Sequence, residues 1–304
     1  MGHFIRFALL SSSLVLGLVL GLALAACAIA RVPDVNTPQA NRPNYPVVIE
    51  QSPTRQQRAE NAWGLFLTEN RLPRTAPDLD PILAVPRSIP PALAQKININ
   101  PKGDALSPEA AKEALRQFIE RSLRVLAGNQ QDRELTLKDI SLASFSNDAT
   151  FYRATYHQTS FLYPLTNGYG DLIITISKTG DLLQLTSRLV PIMDLPSSPS
   201  VDIAKLTAAL VGREFKYTAI DGRELQYRVA NAQEIIVRDL VIYPREQDGR
   251  LSFYLAYPVD VGRGTTWTVV IDAVTGQEID VKQNFNTQGA STSQLEEADI
   301  AGHG

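Results

Sequence analysis

The sequence predicts an α+β protein: two consecutive helix-on-antiparallel-sheet units after a signal peptide and a proline-rich linker. Three observations carry this expectation. A capped amphipathic helix near residues 107–128 precedes alternating strand segments joined by glycine turns. The same order of helix and strands returns after residue 200. In Leu251-Ser252-Phe253-Tyr254-Leu255-Ala256-Tyr257-Pro258-Val259-Asp260-Val261 every odd-numbered position but none of the charged ones is a large apolar residue, a period-2 signal. Composition fits ordinary globular domains, with 304 residues, 44% hydrophobic content and a net charge of −3. That charge, without a basic block, gives no footprint for nucleic acid. One Cys and three His exclude a disulfide within the chain and a Cys₄ or Cys₂His₂ zinc site.

The first segment, residues 1–26, reads as an export signal. Arg6 precedes an uncharged run from Phe7 to Ala30, the order of a basic start and an apolar stretch. Leu24-Ala25-Ala26-Cys27 resembles a bacterial lipobox, which implies cleavage before Cys27 and a diacylglyceryl thioether on its sulfur. Two alternatives stay open: an uncleaved membrane anchor, since the run is long enough to span a bilayer, and ordinary cleavage near Ala23 or Ala25. All three place the rest of the chain in the cell envelope, outside the cytoplasm. Ala28 is not an acidic retention residue, so a Gram-negative host would favour the outer membrane.

Residues 27–106 follow as a tether. Pro33, Pro38, Pro43, Pro46, Pro53, Pro73, Pro77, Pro81, Pro86, Pro90, Pro91 and Pro101 are twelve of the chain's 19 prolines. So many missing donors predict extended, polyproline-like backbone. One short helix interrupts it, Thr54 to Leu67, whose stripe of Ala59, Trp63, Phe66 and Leu67 docks on the body or on a partner.

The first folded unit is expected at 107–193. Ser107-Pro108-Glu109 is a helix entrance. Ala111, Leu115, Phe118, Ile119, Ser122 and Leu126 make its apolar stripe, and Gly128 its stop. Strands follow at Tyr152–His157, Asp171–Ser177 and Leu182–Leu189, with Lys178-Thr179-Gly180-Asp181 as a hairpin turn. The second unit, 200–283, opens with a helix at Asp202–Leu210. Strands are expected at Leu225–Val229, Glu234–Tyr243, Leu251–Val261, Thr265–Asp272 and Gln277–Val281, the last two joined by Asp272-Ala273-Val274-Thr275-Gly276. Residues 284–304 are small and acidic and read as a disordered tail.

Tyr152-Arg153-Ala154-Thr155-Tyr156-His157-Gln158-Thr159, with Gly170-Asp171 through Leu182-Leu183 and Leu189-Val190-Pro191, resembles the fungalysin/thermolysin propeptide (FTP) domain. Leu251 to Val259, followed by Trp267 to Ile279, resembles the PepSY domain that comes second in the same pro-regions. The resemblance spans about residues 105–283, by motif spacing. It implies a non-catalytic module that binds, inhibits or chaperones an exported thermolysin-type metalloprotease in trans, with the segment after Val281 a candidate for its cleft. A scaffolding envelope lipoprotein is the alternative.

Two departures bear on function. Phe161-Leu162-Tyr163-Pro164-Leu165-Thr166-Asn167-Gly168-Tyr169 is longer and more apolar than the family's turn, and no His-Glu-x-x-His is present. His157, on the polar side of its strand, is a weak general-base candidate and reads better as an exposed strand residue. No Gly-x-Ser-x-Gly elbow, cofactor motif or metal-ligand set occurs. The expected partner-binding residues are therefore Tyr163 and Tyr169, as loop aromatics, and Trp63 on the short helix.

Overall fold

Ser52 and Ser107 both stand directly before a proline, and both begin helices. In the computed structural model, which describes residues 44–126, 135–144, 150–218, 222–262 and 266–284, the Ser52 hydroxyl accepts the amide of Arg55 at 3.3 Å. Ser107 accepts that of Ala110 at 3.2 Å. Proline fits the first helical position because its missing donor would be unpaired there anyway. Helix α1 runs Pro53–Glu69, a short α2 Pro91–Ala94, and α3 Pro108–Leu126.

Four antiparallel strands form the first sheet, in the order β4 (Leu135–Ser144), β5 (Thr150–Gln158), β6 (Asp171–Ser177), β7 (Leu182–Ser187). The expected stripe of α3 is buried on it, with Leu115 and Leu126 packed among Tyr152, Tyr156, Ile174 and Leu185. Strand β4 was not anticipated. A bulge between Leu137 and Asp139 shifts its register, so its apolar residues change phase midway and hide the alternation.

The second sheet is built around one long strand, β12 (Arg250–Val261). On one side it pairs with β1 (Val47–Glu50) over its first half and with β13 (Trp267–Asp272) over its second. The other side carries β11 (Val241–Gln247) and β10 (Ile235–Val237), and β14 (Glu278–Gln283) closes the far edge beyond β13. The single strand expected at 234–243 is thus two, broken at 238–240, where Arg238 turns out to Asp260 at 2.6 Å.

Helix α4 (Ile203–Leu210), capped by Asp202, covers half of the inner face through Leu206 and Leu210. Beside it the hairpin of β8 (Glu214–Thr218) and β9 (Glu224–Arg228) stacks Phe215 and Tyr227 on Trp267, each at 4.9 Å. The other half is covered by Ile82, Leu83 and Val85 together with Leu165, Tyr169 and Val190. These come from the segment read as tether, from the loop between β5 and β6 and, for Val190, from the segment after β7.

Residues 44–106 are therefore part of the body, which corrects the extended tether expected there. Besides β1 and α1, they contribute a small hairpin, β2 (Asp78–Leu79) and β3 (Pro86–Ser88). They also supply a strap along β7, where Leu182 donates to the Ile97 carbonyl and Ile99 to that of Gly180, both at 2.8 Å. The prolines do not prevent this because they sit at helix starts, at the head of β3 and between short pieces, where no backbone donor is required. All the described residues fall in one compact unit, Gln39–Gly304. The architecture is mixed, with few helices and mostly antiparallel sheets. The expected signal segment 1–26, Cys27 and the tail expected at 284–304, but for Asn284, lie outside the described residues.

Candidate interaction surface

The long apolar loop after β5 is a clasp between the two sheets. At its start the buried Gln158 side chain completes a backbone pairing, donating to the Val190 carbonyl at 3.0 Å and accepting the Val190 amide at 3.1 Å. Further on, Leu165 bridges Ile242 in parallel, with the Ile242 amide on the Pro164 carbonyl at 2.8 Å. The loop thus occupies the outer edge of β11 and satisfies donors that would otherwise be open. The Asn167 side chain donates to the Pro244 carbonyl at 3.3 Å and accepts from the Lys282 ammonium at 2.9 Å.

Tyr169 is not an exposed loop aromatic. It is 6% exposed, lies edge-on to Phe253 at 6.3 Å and carries the Arg188 guanidinium on its face at 3.8 Å. Burial raises its phenol pKa. The Arg188 Nη1 also donates to the Asn167 carbonyl at 3.0 Å, so one cation holds the last turn of the loop at two points. Tyr163 is half-buried and donates to the Ser197 carbonyl at 2.8 Å. Both rings hold the loop down, and this corrects the expectation that they stand free. The large apolar residue exposed in this loop is Leu162, at 74%, which loop length alone did not single out.

Trp63 is 2% exposed, stacks on Phe66 at 5.6 Å and donates its Nε1 to the Thr75 carbonyl at 2.7 Å. Its docking on the body takes the indole out of reach of a partner. Cys27 lies outside the described residues. His157 is half-buried, with Nδ1 2.7 Å from Oδ1 of Asp171 directly across the strands, so it is held in place on the outer face of the first sheet. Among the described residues no group of three or more His, Cys, Asp or Glu is placed to hold a metal ion. No helix among them is long and apolar enough to cross a membrane.

A second polar cluster lies on the outer face of the second sheet. Tyr243 lies over the sheet to hydrogen-bond the Asp280 carboxylate, and the Lys282 ammonium stands 5.0 Å from its ring centroid. Burial, then the carboxylate, push the Tyr243 phenol up to about 12. A phenol held protonated is a hydrogen-bond donor and not a base, so this cluster holds strands together. Asp272 is 3% exposed and does the same for the turn after β13. It accepts the amide of Val274 at 2.8 Å and the hydroxyls of Thr275 at 2.8 Å and Tyr45 at 2.7 Å.

No family model matches the chain, and no curated protein matches it. Among solved structures it is similar to the Bacillus megaterium YpeB C-terminal domain, at 13% identity and a TM-score of 0.27, over 68% of this chain and 76% of that one. A likeness of that size carries no argument.

Proposed function

We propose that this is a non-catalytic envelope lipoprotein, anchored through Cys27, whose protease-propeptide-like body binds and restrains an exported thermolysin-type metalloprotease in trans. One observation carries the reading. The two segments that resemble FTP and PepSY form, in that order, consecutive antiparallel strands of two helix-backed sheets: β5, β6 and β7 under α3, then β12, β13 and β14 with α4. Their turns, at Gly180 and at Asp272 to Gly276, fall where the strand pairing requires them. The strands through Gln283 are paired, so a segment entering a protease cleft would begin after Asn284.

The test is inhibition of thermolysin, and of an exported His-Glu-x-x-His protease wherever a neighbouring gene encodes one, by the full chain in detergent. Dose-dependent inhibition and co-purification are expected. No inhibition and no captured peptidase would leave the scaffolding alternative in its place.

A further inference from the structure

The outermost strand of a sheet keeps one row of backbone donors and acceptors that a further strand can pair with. Along β7 that row meets the strap of residues 97–99, and along β11 it meets the loop at Leu165. Strand β14 carries Glu278, Asp280 and Lys282, three charges in six residues, which discourages a further strand. Strand β4 is different. It is ten residues long and ends the first sheet, and among the described residues no strand pairs with its outer edge. Its charges, Lys138 and Asp139, stand side by side near its middle.

Leu135-Thr136-Leu137-Lys138-Asp139-Ile140-Ser141-Leu142 is a palindrome in chemical character. Turned end over end about the point between Lys138 and Asp139, it sets Leu135 opposite Leu142, Thr136 opposite Ser141, Leu137 opposite Ile140 and Lys138 opposite Asp139. A regular strand could not use that register. Residues paired across antiparallel strands share a face, and strict alternation would point Leu137 and Ile140 to opposite faces. The bulge between Leu137 and Asp139 removes the conflict. Leu135, Leu137, Ile140 and Leu142 all stand beside residues of the face under α3, namely Gln158, Tyr156, Ala154 and Tyr152. Thr136 and Ser141 stand beside His157 and Arg153 on the other face, and Lys138 and Asp139 are both exposed. The order of faces therefore reads the same from either end, as the order of residue types does.

That symmetry selects the occupant. A foreign strand would have to carry an acid and a base in the right order between apolar positions, whereas a second copy of this chain carries them by construction. Leu142, 52% exposed at the end of the palindrome, would be covered by Leu135 of the other copy. We propose that β4 is a homodimer contact, in which two copies pair antiparallel about a two-fold axis between Lys138 and Asp139 and join two four-stranded sheets into one continuous sheet. One strand on each side is a small contact, so the dimer is expected to be weak. This pairing requires neither a lipid on Cys27 nor a protease partner.

The experiment is sedimentation equilibrium of the full chain in density-matched neutral detergent over a concentration series. The wild type is expected to follow a monomer–dimer equilibrium. Lys138→Asp sets carboxylate against carboxylate at both symmetric contacts, and Asp139→Lys sets ammonium against ammonium, so each alone should weaken the dimer about tenfold. An equimolar mixture of the two variants restores opposite charges at each contact, as does the double variant Lys138→Asp/Asp139→Lys. Both should associate within about threefold of the wild type. Regain in the double variant also shows that both positions tolerate the changes, which separates lost pairing from lost folding. A wild type that stays monomeric throughout overturns the proposal, as do single variants that associate like the wild type and a mixture that fails to regain association. Protection of β4 amides from hydrogen exchange by added thermolysin, in a chain that stays monomeric, would overturn it too and assign the edge to a protease strand.

Discussion

The first sheet has its main cover close to it in sequence, α3 being the element before β4, with α1 and residues 89–99 added from farther back in the chain. The second sheet depends on distant chain more heavily. Its central strand β12 pairs with β1, some two hundred residues earlier, and half of its inner face is closed by residues 82–85 and the 161–169 loop. A helix-on-sheet plan can thus be local in one half of a molecule and assembled from distant pieces in the other. In this protein the distant pieces come from the segment that sequence reasoning assigned to a tether, and they serve both halves.

The sharpest way to break the first half is to remove the distant piece it does use. Trp63→Ala should cost about 3–5 kcal/mol through lost burial and a cavity, read as a lowered thermal midpoint with one transition kept. A smaller loss is expected at the strap on β7. Gly180 has φ +90, and an added Cβ would lie 2.5 Å from Asn100 Cβ and 2.9 Å from its backbone nitrogen. Gly180→Ala should therefore destabilise by about 1–3 kcal/mol, measured by urea unfolding; an unchanged midpoint would mean that the strap is not fixed there.

In the second half, Tyr45→Phe removes the hydroxyl that donates to Asp272 and accepts the Leu255 amide at 3.1 Å. The expected loss is about 1–2 kcal/mol, the effect of stripping a buried partner. The smallest effect is conditional on pH. Folding raises the Tyr243 phenol from near 10 to about 12, so its contribution is full below pH 10 and is lost as pH rises through 12. Tyr243→Phe should flatten that alkaline decline in a series of urea midpoints between pH 8 and 12. Tyr156 in the first sheet, also pushed up to about 12 by burial, should leave a residual slope.

Legibility followed the same division. Helix α3, the hairpin turns and the alternation of β12 were readable because each depends on residues a few positions apart. Strand β4 was hidden by its bulge, and β1 by its brevity. The placement of Tyr169 depends on Arg188 and Phe253, which no local pattern links to it. Within residues 44–106 the helix and its buried stripe were legible from spacing, whereas β1, the small hairpin and the strap were not, because proline density predicts extended backbone without showing which prolines stand at helix starts. Ser52-Pro53 carries the same entrance signal as Ser107-Pro108 and sets the start of the helix expected from Thr54.

That residues 44–106 are structural, and not a spacer, is the claim on which this account of the fold depends. Amide hydrogen exchange across the chain tests it most directly. The amides of Val47–Glu50 and of α1 should exchange as slowly as those of β12, in one cooperative opening. Exchange of those amides within seconds, while β12 stays protected, would contradict it and restore the tether.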